Sequence, residues 1–245
     1  IHLYFSWSEQ ITDEGLLHRY RSLLSDAELA QMSRFYFDRH RHQFLITRAL
    51  IRTSLSAYFR VNPSDWQFTK NGYGKPEICH PGEAFPVRFN ISHSNGLILC
   101  GITRDNDIGV DVEDSQRSTR AAFEGLSNYF SRQEIEDLHE LPEPDQKRRF
   151  FDYWTLKESY IKARGKGLSI PLDRFSFHFR EDRLSEFRTH PDLNDDAGMW
   201  QFWRMPMTDR YRVAVAINSP SRDFKLAAFN TVPLQDSEPV NLTFL

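Results

Sequence analysis

The sequence predicts an α+β fold of two pseudo-symmetric halves, each a long helix packed on a small, mostly antiparallel sheet. Three observations predict it. Apolar residues recur at helical spacing in two long stretches, about Asp38–Phe59 and Asp145–Arg164. Short segments with period-two alternation follow each stretch, separated by polar turns. The 245 residues fit two packed halves, 1–115 and 116–245, with the polar run from Asp114 to Thr119 as the junction. Such a layered mixture is an α+β sandwich.

Each element has a local cause. Ser25-Asp26-Ala27-Glu28 is a capping box that starts a helix, a hydroxyl and a carboxylate each satisfying an orphan amide. In the first long helix Phe44, Ile51, Leu55 and Tyr58 form the expected buried stripe, and Asn62-Pro63 ends it. Trp66 to Thr69 is a short strand, followed by the turns Asn71-Gly72 and Tyr73-Gly74. Leu97–Ile102 and Ile108–Glu113 are strands joined by the turn Arg104–Asp107, and the pair reads as a hairpin. A helix is expected from about Arg120 to Phe130. A second capping box, Ser131 to Glu134, opens a short helix through Leu138. The second long helix stops at Gly165, a residue suited to the left-handed C-terminal position. Phe175, Phe177 and Phe179 alternate as a strand. Trp200–Met205 and Tyr211–Ile217 are two more, turned near Thr208-Asp209, and the last dozen residues read as a loosely held tail.

Composition narrows the function. Hydrophobic residues make up 40% of the chain, with twenty Phe, enough for a sizeable core. A formal charge of −3 gives no bulk attraction for nucleic acid. Cys79 and Cys100 alone build neither a disulfide framework nor a thiolate metal site. No basic-then-apolar leader and no apolar run of membrane length is visible, so a cytoplasmic protein without a membrane role is expected.

Four constellations carry chemistry. Asp111 and Glu113 stand two apart on a strand, on one face, while Val110 and Val112 take the other. Two adjacent carboxylates repel, and a divalent cation relieves that; an acidic exposed strand face fits the same pattern. Glu158 and Lys162 stand one helical turn apart among Phe150, Phe151, Trp154 and Ile161. An ordinary surface ion pair has that spacing, but the apolar setting points to a half-buried one with a partner. Asn90 to Gly96 gathers small polar residues with His93, a loop able to present donors to an anion or simply a polar turn. Arg41, Arg48 and Arg52 share one helical stripe, and Lys75 follows the Tyr73-Gly74 turn. They suit phosphate, or form a solvated face.

Taken in order, Tyr73-Gly74-Lys75-Pro76, Phe89 to Ser94, Gly109 to Glu113, and Trp154 to Lys162 continuing into Gly165-Lys166-Gly167-Leu168 resemble the phosphopantetheinyl transferase superfamily, in its monomeric surfactin-synthetase-activating type. The resemblance runs from about Arg34 to Phe179. It implies transfer of the 4′-phosphopantetheine group from coenzyme A to a serine of an apo acyl or peptidyl carrier protein. Coenzyme A would lie in the cleft between the halves. It implies Mg²⁺, or Mn²⁺, on Asp111, Glu113 and Glu158. Lys162 would contact the pyrophosphate, and Ser92 and His93 the coenzyme A phosphates. Lys75 and the basic stripe with Arg41 and Arg48 would take the nucleotide end. Glu134 matches a carboxylate proposed to help deprotonate the serine; its place in the capping box gives it a purely structural alternative. The chain departs from the family prototype near Glu28, Gln31, Gln43 and Phe44, where basic or hydroxyl residues bind the 3′-phosphate.

The partner implied is an acidic carrier, with Arg117, Arg120 and Arg132 as candidate contacts. Two other functions share these residues. One is a metal-dependent nucleotide pyrophosphohydrolase, which would consume coenzyme A without an acceptor. The other is a non-catalytic module that holds coenzyme A or a carrier.

Overall fold

The computed structural model describes residues 1–80, 86–117 and 125–243, apart from the side chain of Ser127. Among them are five α-helices: α1 (Glu14–Arg21), α2 (Asp26–Ser33), α3 (Asp38–Ser56), α4 (Arg132–Glu140) and α5 (Glu143–Arg164). The strands are β1 (His2–Trp7), β2 (Gln67–Lys70), β3 (Pro76–His80), β4 (Val87–Ser94), β5 (Leu97–Arg104), β6 (Asp107–Asp114), β7 (Phe175–Arg180), β8 (Arg183–Thr189), β9 (Trp200–Pro206), β10 (Tyr211–Asn218), β11 (Ala227–Val232) and β12 (Asp236–Val240). They form a sheet in the order β12-β11-β1-β5-β4, a sheet β6-β10-β9, and the hairpins β2-β3 and β7-β8. Pairing is antiparallel except where β11 runs parallel to β1. The class is α+β, as expected.

Both capping boxes form, at Ser25–Glu28 and Ser131–Glu134. The two long helices cover opposite outer faces. Leu45, Ile46, Ala49, Leu50 and Leu55 of α3 pack on Phe89, Ile98, Cys100 and Ile102 of the larger sheet. Phe150, Phe151, Leu156, Tyr160 and Ala163 of α5 pack on Ala214 and Ala216 of β10. Between the sheets lies a third apolar layer, in which Leu3, Phe5, Leu97 and Leu99 meet Val110, Val112, Val213 and Val215. Alternation within each strand supplies one set of side chains to this layer and the other to a helix.

Close approach is set by glycine. A Cβ on Gly109 would stand 1.9 Å from the Ser159 carbonyl, so only glycine lets α5 lie directly on β6. Gly165, at φ +66°, ends α5 with its amide bonded to the Ile161 and Lys162 carbonyls.

Four expectations need correction or bounding. The stretches 97–102 and 108–113 are not a hairpin: β5 pairs with β4 and β1, while β6 pairs with β10. The turn between them carries the chain from one sheet to the other, and the two apolar faces pack against each other instead of edge to edge. The C-terminal stretch is not a loose tail. β11 and β12 extend the larger sheet beyond β1, and Tyr20 donates its hydroxyl to the Pro233 carbonyl. Tyr58 lies past the end of α3, 37% exposed, bonded to the Tyr4 hydroxyl rather than buried in the stripe. The expected helix from Arg120 falls partly outside the described residues; Leu126–Asn128 is a single 3-10 turn.

Candidate active site

The carboxylate pair sits where the two sheets meet along one edge, with β4 beside β6 and α5 lying across β6 and β10. Val110 and Val112 enter the layer between sheets, so Asp111 and Glu113 turn together toward α5. There Lys162 Nζ stands 2.6 Å from Asp111 Oδ1 and 3.0 Å from Ser92 Oγ. Ser92 donates to the same Asp111 oxygen at 2.8 Å. Glu113 accepts from Trp154 Nε1 at 3.1 Å and from Ser94 Oγ at 3.0 Å, and pairs with Arg117 at 3.0 Å.

Glu158 lies half-buried on α5, one turn before Lys162. Burial, then the charge of Asp111, pushes its carboxyl up to about 7; Glu113 adds to the push and Lys162 opposes it. Burial and Asp111 also raise Glu113. The three carboxylates therefore act as one electrostatic unit holding more negative charge than its cations balance.

Does this set fit a divalent cation? Among the described residues no three ligating groups converge into a ready cage. Lys162 and Arg117 take one oxygen each from Asp111 and Glu113. Yet the donors are all hard oxygens, and Asp111 Oδ2 is buried without any hydrogen-bond partner. A buried carboxylate oxygen left unpaired is costly. Magnesium asks the protein for only one or two carboxylates, the rest coming from water and substrate phosphates. The residues fit that demand.

The other expected site residues divide. His93 follows Ser92 on β4, so it faces the opposite way and is exposed. Its imidazole is lowered by partial desolvation and by the Lys162 charge, with His40 a smaller contributor. The basic stripe has found its anions within the chain. Arg41 pairs with Asp38, and Arg48 and Arg52 both grip Glu28. Arg52 is 1% exposed and also donates to the Pro63 and Trp66 carbonyls, so it is a structural residue. Lys75 donates to the Ala163 and Ile108 carbonyls, at 2.9 and 3.3 Å, tying the end of α5 to β6.

Glu134 is not brought to the carboxylates. Its side chain is enclosed, with Lys157 at 2.8 Å, the Ser131 amide on one oxygen and the Phe177 amide on the other. A carboxylate so occupied locks α4, α5 and β7 together. Sequence reasoning overlooked Ser94, and the alternation Asn90, Ser92, Ser94 was the signal available.

Comparison with known proteins agrees. Residues 107–216 match the family described as the 4′-phosphopantetheinyl transferase superfamily, and residues 7–101 match its 4′-phosphopantetheinyl transferase N-terminal family. The chain is 32% identical over 204 residues to the 4′-phosphopantetheinyl transferase HetI of Nostoc sp., covering 83% of this chain and 82% of that one. It is 34% identical over 164 residues to the 4′-phosphopantetheinyl transferase Sfp of Bacillus subtilis, covering 67% and 70%. The chain belongs to the 4′-phosphopantetheinyl transferase superfamily, in its Sfp-like type.

Proposed function

We propose that this enzyme transfers the 4′-phosphopantetheine group of coenzyme A to a serine of an apo acyl or peptidyl carrier protein, with Mg²⁺ held by Asp111, Glu113 and Glu158. Family membership supports the transfer. The observation that carries the site assignment is Asp111, which holds Lys162 with one oxygen and leaves its buried second oxygen unpartnered. Bound there, the cation would neutralise charge on the pyrophosphate. Neither rival function finds support in the relatives, which are transferases.

The chain's own groups account for the rest. The serine oxygen forms a bond to the phosphorus on the pantetheine side, and the bond to the departing adenosine 3′,5′-bisphosphate breaks. Lys162 spends two of its three N–H donors on Asp111 and Ser92, which leaves one to meet a pyrophosphate oxygen. The serine proton needs an acceptor. With Glu134 enclosed, Glu158 is the carboxylate of the site left to take it. An acidic carrier would meet Arg117, which is 41% exposed beside Glu113.

Glu158→Gln keeps the volume and removes the charge. It should lower carrier modification by roughly 100-fold or more while leaving the unfolding midpoint near wild type. A folded Glu158→Gln enzyme with full activity would contradict the assignment.

A further inference from the structure

Strand β6 ends its own sheet, so its outer amides, those of Val110, Val112 and Asp114, have no backbone partner in β10. Strand β4 supplies them with side chains instead. Asn90 Oδ1 accepts from the Val110 amide at 2.9 Å, Ser92 Oγ from Val112 at 3.3 Å, and Ser94 Oγ from Asp114 at 3.0 Å. This is a strand-to-strand ladder in which one rail is made of side chains. It holds the two sheets a side chain apart, wider than the roughly 4.8 Å of ordinary pairing.

The same two hydroxyls turn their hydrogens on the carboxylates, Ser92 on Asp111 at 2.8 Å and Ser94 on Glu113 at 3.0 Å. Ser92 Oγ also receives Lys162, so its one donor and both lone pairs are in use. Each serine thus grips the backbone of one residue and aims the side chain of the residue before it. The spacing requires small polar residues at 90, 92 and 94; an apolar side chain there would orphan an amide of β6, and at 92 or 94 would also release a carboxylate.

We infer that Ser94 is a positioning residue for Glu113: by bonding the Asp114 amide and the Glu113 carboxylate at once, it sets the aim of the second metal carboxylate from the opposite sheet. This role rests on the metal reading proposed above. Trp154 and Arg117 hold the other Glu113 oxygen, so Ser94 alone fixes the Oε2 side among the described residues.

The test compares Ser94→Ala and Ser94→Thr with wild type in two readouts. The first is Mn²⁺ affinity by calorimetry in the presence of coenzyme A, and the second is exchange of the Asp114 amide by NMR. Loss of an outer-shell partner costs roughly 10-fold or more in metal affinity. Ser94→Ala should show that loss together with faster Asp114 exchange, and Ser94→Thr, which keeps the hydroxyl, should restore both. If Ser94→Ala does not fold, Ser94→Cys, a weak donor of similar size, should show the same direction. A folded Ser94→Ala protein with wild-type Mn²⁺ affinity would overturn the inference while leaving the metal reading intact. A wild-type protein that binds no divalent cation would overturn both.

Discussion

Glu28 accepts both Arg48 and Arg52 while Asp38 takes Arg41, and these two carboxylates resolve how three arginines share a helical stripe. The helical spacing of those arginines was legible in the sequence. Their partner was not, because Glu28 lies on α2 and reaches α3 only through the fold. The consequence is that Arg52 contributes to stability, not to ligand binding. Arg52→Ala should take one of its two cations from half-buried Glu28 and leave the Pro63 and Trp66 carbonyls without this donor, a loss of about 1–3 kcal/mol in urea denaturation. An unchanged midpoint would contradict that placement. Glu134 teaches the complementary lesson. Its capping box was readable from four consecutive residues, whereas its seal, Lys157 and the Phe177 amide, comes from α5 and β7.

At the scale of elements, the site depends on β6 lying between β4 and α5. The D-x-E alternation on β6 was readable, as were the long helices and their ends. The pairing of β6 was not, because a tight turn before an apolar strand describes a hairpin and a change of sheet equally well. Gly109 shows what the choice requires, since its missing side chain is what brings α5 down onto the strand that carries Asp111 and Glu113. Gly109→Ala would drive a methyl group into the Ser159 carbonyl, a backbone atom that cannot swing aside. The cost should be about 1–3 kcal/mol in denaturation, with a loss of transfer activity as Glu158 and Lys162 move away from Asp111. A stable, fully active Gly109→Ala enzyme would show that the contact is looser than described.

Across the whole molecule, two helix-covered sheets share an inner apolar layer and leave the carboxylates along one seam. Residues 227–240 close the far side of the larger sheet, a long-range return that local pattern does not announce, since β12 is a largely exposed edge strand. The family motifs were legible because they line that seam in sequence order, from Lys75 through Asp111 to Lys162. What they do there was only partly legible: several of the same residues also hold the fold, Lys75 by capping α5 and Ser92 by pairing β6.

Metal-dependent transfer to a carrier is tested most directly by intact-mass spectrometry of an apo acyl carrier protein incubated with this enzyme and coenzyme A, with Mg²⁺ or with excess chelator. The carrier should gain the mass of one phosphopantetheine group with Mg²⁺ and none with chelator. Transfer that continues undiminished in chelator, or coenzyme A breakdown with no modified carrier, would contradict it.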